Sequence, residues 1–253
     1  MNIKVLFYGF PGKITSGYMS WSSIVYIETA EKKILFDTGS MVERSVLPVR
    51  MKKYGIDIVD IDTVVLSHFH HDHASNIDYF KNARILLHEN ECKYIESNPE
   101  DWALLKYMYL PLKQSGQLVV ISGEPEICPG VKIIMTPGHT PGCISLVLQE
   151  ENKPVIVLAG DAVKNLAELS TGKVAMSLNN EASSQSIKRI RNIADIVVPG
   201  HDRVLKIEQD RIAAITTSCE IITVPAGICS KKSYNIKLQI GPSEILKKNN
   251  HII

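Results

Sequence analysis

The chain has 253 residues, of which 45% are hydrophobic, enough to bury the core of one large domain or two small ones. Its 28 basic and 27 acidic side chains leave a formal charge of +1, so bulk charge gives no indication of binding to nucleic acid or to a membrane surface. No apolar stretch is long enough to span a bilayer, and we expect a soluble globular protein.

The first residues and the cysteines favour the cytoplasm. Met1 opens a short apolar run with one lysine, without the longer apolar region and cleavage site of an exported protein. The cysteines are widely spaced and form no C-x-x-C pair, which suits free thiols in a reducing compartment. They are Cys92, Cys128, Cys143, Cys219 and Cys229. Cys143 follows a Pro-Gly turn beside a histidine and either lines a pocket or packs within a strand.

Short apolar runs bounded by Gly, Pro and Ser predict strands in the first third of the chain. They are Ile3–Tyr8, Ile24–Glu28, Ile34–Phe36 and Thr63–Leu66. A loop punctuated by Pro11, Gly12 and Gly17 is predicted to join the first two. A helix is predicted between Met41 and Gly55, interrupted or started late by Pro48.

Strands and helices alternate in the rest of the chain. The predicted strands are Ala83–Leu87, Leu118–Ile121, Val131–Met135, Ile144–Leu148, Val155–Leu158 and Ile196–Val198. Helices are predicted over Asn90–Ser97 and Ala182–Ile193, and the amphipathic stretch Asp101–Gln114 either packs in the core or walls a substrate pocket. Near the end, Glu220–Val224 and Tyr234–Ile240 are predicted as strands. This order indicates a mixed fold with helices outside packed sheets.

A histidine cluster directly follows the predicted strand Thr63–Leu66, in the segment Ser67-His68-Phe69-His70-His71-Asp72-His73. In an extended segment His68 and His70 project to the same side and can converge on one cation, while Asp72 and His73 can start a second site. A metal site is the natural interpretation, because affinity tags lie at termini and loop histidines rarely cluster so tightly.

Further metal-ligand residues follow other predicted strands. His139 lies at the apex of a loop fixed by two Pro-Gly steps, Asp161 follows Val155–Leu158, and His201 follows Ile196–Val198 and a Pro-Gly step. Asp37 ends the strand Ile34–Phe36. Its carboxylate either hydrogen-bonds local backbone or orients a neighbouring metal ligand.

The ordered pattern of these histidines and aspartates resembles the metallo-β-lactamase superfamily over roughly residues 1 to 205. The resemblance implies an α+β fold, an αββα four-layer sandwich of two mixed sheets flanked by helices, with metals at one edge. It implies a single domain over residues 1–253, with its core at about 1–205 and a strand-rich extension at 206–253. By the same resemblance, one metal takes His68, His70 and His139, the other takes Asp72, His73 and His201, and Asp161 bridges them.

The implied chemistry is hydrolysis of a small ester, thioester or lactone. Nitrogen and carboxylate ligands without cysteine suit zinc, two ions per chain, and also admit iron or manganese. Two cations sharing a water lower its pKa and give a hydroxide nucleophile. Asp72 can orient this nucleophile or shuttle the proton that the water loses. The alternatives are a phosphodiesterase, a binding protein that has kept the fold, and a mononuclear iron enzyme resembling persulfide dioxygenase, which would use His68, His139 and Asp161.

Individual branches of the superfamily match this sequence to different extents. Quorum-signal lactonases place a tyrosine soon after the bridging aspartate, whereas only Tyr234 follows Asp161 here. Glyoxalase II-like thioesterases carry a helical C-terminal region, and the nuclease branches carry an extra RNA-binding arm. We expect a small-molecule substrate and no nucleic acid or membrane partner. A strand edge in the tail allows pairing as a homodimer.

Overall fold

Two large mixed β-sheets stack face to face in the computed structural model, which describes residues 1–209, 211–228, 232–240 and 246–247. Helices cover the outer face of each sheet, so the predicted α+β architecture, an αββα sandwich, is confirmed. Cys229 lies outside the described residues.

The described strands and helices mostly follow the predicted order. The strands are β1 Asn2–Phe7, β2 Phe10–Ile14, β3 Gly17–Trp21, β4 Ile24–Glu28, β5 Lys33–Phe36, β6 Thr63–Val65, β7 Arg84–His88, β8 Leu118–Ile121, β9 Glu126–Cys128, β10 Val131–Met135, β11 Ile144–Leu148, β12 Ile156–Gly160, β13 Ile196–Pro199, β14 Leu205–Glu208, β15 Arg211–Ala214, β16 Ser218–Val224, β17 Tyr234–Ile240 and β18 Leu246–Lys247. The helices are α1 Leu47–Lys53, α2 His71–Ala74, α3 Glu89–Ser97, α4 Lys106–Gln114, α5 Leu166–Thr171 and α6 Asn180–Ile193.

The first sheet has the order β1-β4-β5-β6-β7-β8, and the second has the order β18-β15-β14-β13-β12-β11-β10-β9. Strands β5 to β8 run parallel to one another, as do β12 and β13, and the other neighbours are antiparallel. The carboxyl ends of β5 and β6 therefore lie side by side at one edge, as do those of β12 and β13.

Alternation along single strands builds the layers, because successive side chains of a strand point to opposite faces. In β4, Val25 and Ile27 pack between the two sheets, while Ile24 and Tyr26 pack under the helices of the first sheet. All four are buried. Strands buried on both faces read as continuous apolar runs, which is why the sequence identified them.

The helices begin and end at recognisable residues. Helix α1 begins at Leu47 with Pro48 in its first turn, which confirms the late start at Pro48 that the sequence allowed. In α6 the side chain of Asn179 accepts a hydrogen bond from the backbone N–H of Ala182, which extends the helix two residues before the predicted start. Within the described ranges, no helix combines the length and apolar character needed to cross a membrane.

Two regions differ from the sequence prediction. The loop expected between the first two strands is instead the hairpin β2–β3, with Ile14 paired to Gly17 across its tip, so that prediction was wrong. Pro11 and Gly12 disfavour a strand on propensity, but the pairing with β3 prevails over it. Past residue 205, β14 and β15 extend the second sheet, and β16 pairs with β17 in a separate hairpin, which confirms the two predicted tail strands.

Candidate metal centre

The predicted ligands gather at one rim of the sandwich because the loops that carry them leave neighbouring strand ends. Backbone hydrogen bonds fasten these loops together. The N–H of Ile144 donates to the carbonyl of Ser67 at 2.9 Å, and the N–H of Gly200 donates to the carbonyl of Gly160 at 2.9 Å. The seven ligand candidates, called the rim cluster below, are His68, His70, Asp72, His73, His139, Asp161 and His201.

Two glycines permit the close approach of these loops. Gly160 has a φ of +51°, and a Cβ atom there would lie 2.6 Å from the Cβ of Ser67. A Cβ atom at Gly200 would lie 2.2 Å from Oδ1 of Asp161. The Gly-Asp and Pro-Gly-His segments noted in the sequence therefore carry glycine for steric reasons.

The first group in the rim cluster consists of His68, His70 and His139. Their ligand atoms lie within 4.8 Å of one another. Nδ1 of His70 and Nε2 of His139 are 3.0 Å apart, and all three rings meet edge to face. One nitrogen from each imidazole is therefore close enough to the others to share a zinc ion.

The second group consists of Asp72, His73 and His201, again within 4.8 Å of one another. Nε2 of His201 lies 3.4 Å from Oδ2 of Asp72, and Nε2 of His73 lies 3.9 Å from Oδ1. Both imidazoles are buried, while Asp72 reaches the surface of the cleft.

Asp161 lies between the two groups. Its Oδ1 is 3.2 Å from Nε2 of His73 and 3.2 Å from Nε2 of His201, and its Oδ2 is 3.3 Å from Nε2 of His139. One carboxylate oxygen thus faces each group.

In three of the rings, those of His73, His139 and His201, Nδ1 has a fixed partner. Nδ1 of His73 lies 2.7 Å from Oδ2 of Asp37, whose other oxygen accepts the backbone N–H of Ser67. Asp37 therefore contacts a ligand candidate, and the backbone N–H that it accepts is not local but lies 30 residues away along the chain. Nδ1 of His139 and of His201 each lie 2.9 Å from a backbone carbonyl. Such contacts set which nitrogen is free to bind a metal.

Burial and nearby charge act differently on the two groups. Burial, reinforced by neighbouring imidazoles, lowers the pKa of His68 well below its usual range and that of His70 to about 3. Burial also opposes the charged form of His73 and His201, but the nearby carboxylates, Asp161 foremost, together outweigh it and raise the pKa of both. Neutral imidazoles in one group and a carboxylate-rich field in the other both favour a bound cation.

A second observation also indicates that these donor atoms suit divalent cations. Several buried atoms that face the centre have no hydrogen-bond partner among the described residues, an arrangement that costs free energy unless something else binds them. These atoms are Nε2 of His68, Nε2 of His73 and Oδ1 of Asp161. Nitrogen and oxygen donors of this kind suit zinc, iron or manganese.

A cleft of about 410 Å³ opens onto the rim cluster. Tyr18 from the β2–β3 hairpin stacks on Trp102 at its mouth, with ring centroids 5.8 Å apart. Trp102 thus lines the pocket, whereas Tyr109 from the same amphipathic stretch is buried in the core. Cys143 is also buried and is not one of the lining residues.

Sequence reasoning missed Tyr18 and Lys164 as cleft residues. Tyr18 was assigned to a loop because the hairpin was not predicted. Lys164 had a usable signal, since it follows Asp161 by three residues in the loop after β12. Residues close behind a strand-end ligand share its rim.

The metallo-beta-lactamase superfamily model matches residues 21–201, a range that contains the whole rim cluster. An N-acyl homoserine lactonase from a Bacillus species is 30% identical over 212 residues, which cover 73% of this chain and 81% of the relative.

Two solved structures have a similar fold. A metallo-beta-lactamase structure from Thermotoga maritima has a TM-score of 0.68 at 24% identity and covers 81% of this chain and 99% of its own. An N-acyl homoserine lactone hydrolase, solved with the product N-hexanoyl-L-homoserine at its catalytic metal centre, has a TM-score of 0.61 at 25% identity and covers 76% of this chain and 84% of its own. Fold, ligand order and family match agree, and the chain belongs to the metallo-beta-lactamase superfamily.

Proposed function

We propose that this chain is a hydrolase that uses two divalent cations, zinc first among them, to open a small lactone or to cleave a small ester or thioester. The observation that carries the proposal is the position of Asp161, with Oδ1 toward His73 and His201 and Oδ2 toward His139. A carboxylate shared in this way suits a pair of cations better than a single one.

The surroundings of the site support separate roles for the bound cations, for Asp72 and for Asp37. Divalent cations bound here would lower the pKa of a coordinated water and polarise the substrate carbonyl. Asp72 is the carboxylate of the second group and lines the cleft beside His201, so it is placed to orient the attacking water and to take up its proton. Asp37 lies at hydrogen-bond distance from His73 and so fixes the position of this ring in the second group.

A small acyl substrate fits both the cleft and the relatives. The cleft volume of about 410 Å³ is in the usual range for a small ligand. Tyr18 and Trp102 offer an exposed stacked wall, and Met176 and Leu178 are exposed lining residues. The lactonase relative and the lactone hydrolase structure act on acylated lactones, as their names state, and this wall would suit an apolar acyl group.

The experiment is to purify the chain with its metals, measure metal content, and assay a panel of lactones, aryl esters, thioesters and phosphodiesters. Asp161→Ala is expected to lower ester or lactone turnover by at least about 100-fold and to lower metal content, because it removes an oxygen from each group. The far-ultraviolet circular dichroism should not change. Glu151→Ala, in the exposed turn after β11, is the matched acidic control.

Several results would overturn the proposal. Equal turnover by Asp161→Ala and the Glu151→Ala control would remove Asp161 from the chemistry. A wild-type chain that cleaves only phosphodiesters would reject the substrate class. One iron per chain with oxygen consumption, and no hydrolysis, would favour the dioxygenase alternative.

A further inference from the structure

One imidazole of the rim cluster is held differently from the others. Four of the five rings have Nδ1 at 2.7–2.9 Å from a hydroxyl, a carboxylate or a backbone carbonyl. His70 is the exception. Its Nδ1 lies inside the first group, 3.0 Å from Nε2 of His139. The nitrogen that points away from the group is therefore Nε2, and this buried atom has no hydrogen-bond partner among the described residues.

This nitrogen of His70 needs an acceptor if the ring is to bind a metal. When one nitrogen of a neutral imidazole binds a cation, the other nitrogen carries the hydrogen. A buried N–H without an acceptor costs free energy. Histidines that bind metals usually donate this hydrogen to a carboxylate, a carbonyl or a water, which fixes the orientation of the ring.

The carboxylate of Asp101 lies beside this nitrogen. Its Oδ2 is 4.0 Å from Nε2 of His70. Only 12% of the His70 side chain and 18% of the Asp101 side chain are exposed, so the pair is largely shielded from water. The distance is about 1 Å longer than a hydrogen bond, and a small rotation of either side chain would close it.

The turn that carries this carboxylate is fastened to the histidine loop. The N–H of His71 donates to the carbonyl of Ala103 at 2.8 Å, and the N–H of Leu105 donates to the carbonyl of Phe69 at 3.2 Å. The two hydrogen bonds involve the residues on either side of His70. They therefore hold the turn next to this ring.

Two further contacts orient the carboxylate of Asp101. Its Oδ1 accepts the backbone N–H of Ala103 at 2.9 Å, and its Oδ2 accepts the hydroxyl of Tyr94 at 2.5 Å. A carboxylate oxygen has two lone pairs, so Oδ2 can accept a second hydrogen. The turn alone needs only the contact of Oδ1, which asparagine or serine would also supply.

We propose that Asp101 is a positioning residue, which accepts the Nε2 hydrogen of His70 and so holds Nδ1 of this ring toward the first group. The proposal rests on the cation binding that the proposed function requires. A carboxylate partner fixes the tautomer of the ring and makes its free nitrogen a better metal ligand. The effect should be confined to the first group, because His70 belongs to that group alone.

The test titrates the metal-free chain with Zn²⁺ against a competing chelator. Asp101→Asn keeps the oxygen that accepts the N–H of Ala103 but puts an NH₂ group where Oδ2 was. We expect one of the two zinc dissociation constants to rise about 10–100-fold and the other to stay within about threefold. Tyr94→Phe is the matched control, because it removes a partner of the same Oδ2 and leaves the carboxylate. It should keep both constants within about threefold.

A proton–nitrogen NMR spectrum of the zinc-loaded chain, labelled at histidine, gives a second readout. One imidazole N–H signal of wild type should disappear in Asp101→Asn, because the hydrogen then lacks its acceptor and exchanges with water, and it should remain in Tyr94→Phe. An aspartate that only caps the turn would not affect this signal. Asp101→Ser also keeps a cap for the turn, and it covers the case in which Asp101→Asn fails to fold. It should show the same losses.

Unchanged zinc constants in the folded Asp101 variants would overturn the proposal, as would a retained N–H signal. Equal losses at both metal positions, or in Tyr94→Phe, would also overturn it. These results would leave the proposed hydrolysis standing. A wild-type chain that binds zinc but hydrolyses nothing would reject the proposed function alone, and one that binds no zinc would overturn both.

Discussion

At the scale of single residues, the sequence predicted the ligand candidates that the structure brings together, but not what holds them. Histidine and aspartate at successive strand ends have a chemical signature that can be read directly. The carbonyls of Met176 and Trp21, which hold His139 and His201, are backbone groups common to every residue and carry no such signature. Only folding reveals which carbonyl lies beside which ring.

A buried carboxylate joins two of the loops that form the metal centre. Glu91 in α3 is fully buried; its Oε1 accepts the backbone N–H of Phe69 at 2.9 Å, and its Oε2 accepts the hydroxyl of Thr140 at 2.6 Å. It therefore connects the His68 loop with the His139 loop. This buried carboxylate fixes the relative position of the two loops, because leaving either donor unpaired would cost about 1–3 kcal/mol.

Burial raises the pKa of Glu91 from 4.5 to about 7, and this shift makes stability depend on pH. Between these values the folded chain binds a proton that the unfolded chain has released, so the free energy of unfolding falls as pH rises. The loss is on the order of 3 kcal/mol by pH 8. Glu91→Gln does not titrate and should lack this loss.

Urea unfolding of wild type and Glu91→Gln at pH 5 and pH 8, both with chelator, measures the effect. Wild type should lose on the order of 3 kcal/mol relative to the variant over this range. Glu43, whose pKa burial also raises to about 7, is present in both proteins and cancels. A stability difference that does not change with pH would contradict the account.

At the scale of elements, the apolar runs and the helices α3 and α6 were predicted to within one or two residues, whereas short, partly exposed strands were missed. Strands such as β10 and β11 are buried on at least one face and show it in composition. The β2–β3 hairpin is only partly buried and contains Pro11 and Gly12, so its pairing arises from the partner strand. The hairpin nevertheless supplies Tyr18 to the cleft.

Strands β14 and β15 continue the second sheet beyond residue 205. Truncation of the chain tests how much these strands contribute to its stability. Leu205 and Ile212 are fully buried there, and each contributes about 1.5–3 kcal/mol by its burial. A chain that ends after Val204 loses both residues and should be largely unfolded or greatly destabilised. A chain that ends after Thr217 keeps both and loses mainly the exposed β16–β17 hairpin, so it should remain folded.

Urea unfolding and near-ultraviolet circular dichroism of the two truncated chains provide the comparison. We expect a cooperative transition for the longer chain and a large loss of stability for the shorter one. Equal stability of the two would mean that β14 and β15 do not belong to the folded core.

At the scale of the whole molecule, the two large sheets come from different halves of the chain, and both contribute residues to the rim cluster or to its support. The first sheet supplies Asp37 and the His68 loop, and the second supplies His139, Asp161 and His201. The sequence predicted this convergence through strand ends and the family pattern. It could not predict the cleft, because the wall formed by Tyr18 and Trp102 depends on how distant segments pack.

The central claim is that Asp161 joins two cations, and a crystal structure of the metal-loaded protein with anomalous data at the zinc edge tests it most directly. We expect two peaks about 3.5–4 Å apart. One should lie among His68, His70 and His139, the other among Asp72, His73 and His201, and each should contact an oxygen of Asp161. A single peak, or peaks away from Asp161, would contradict the account.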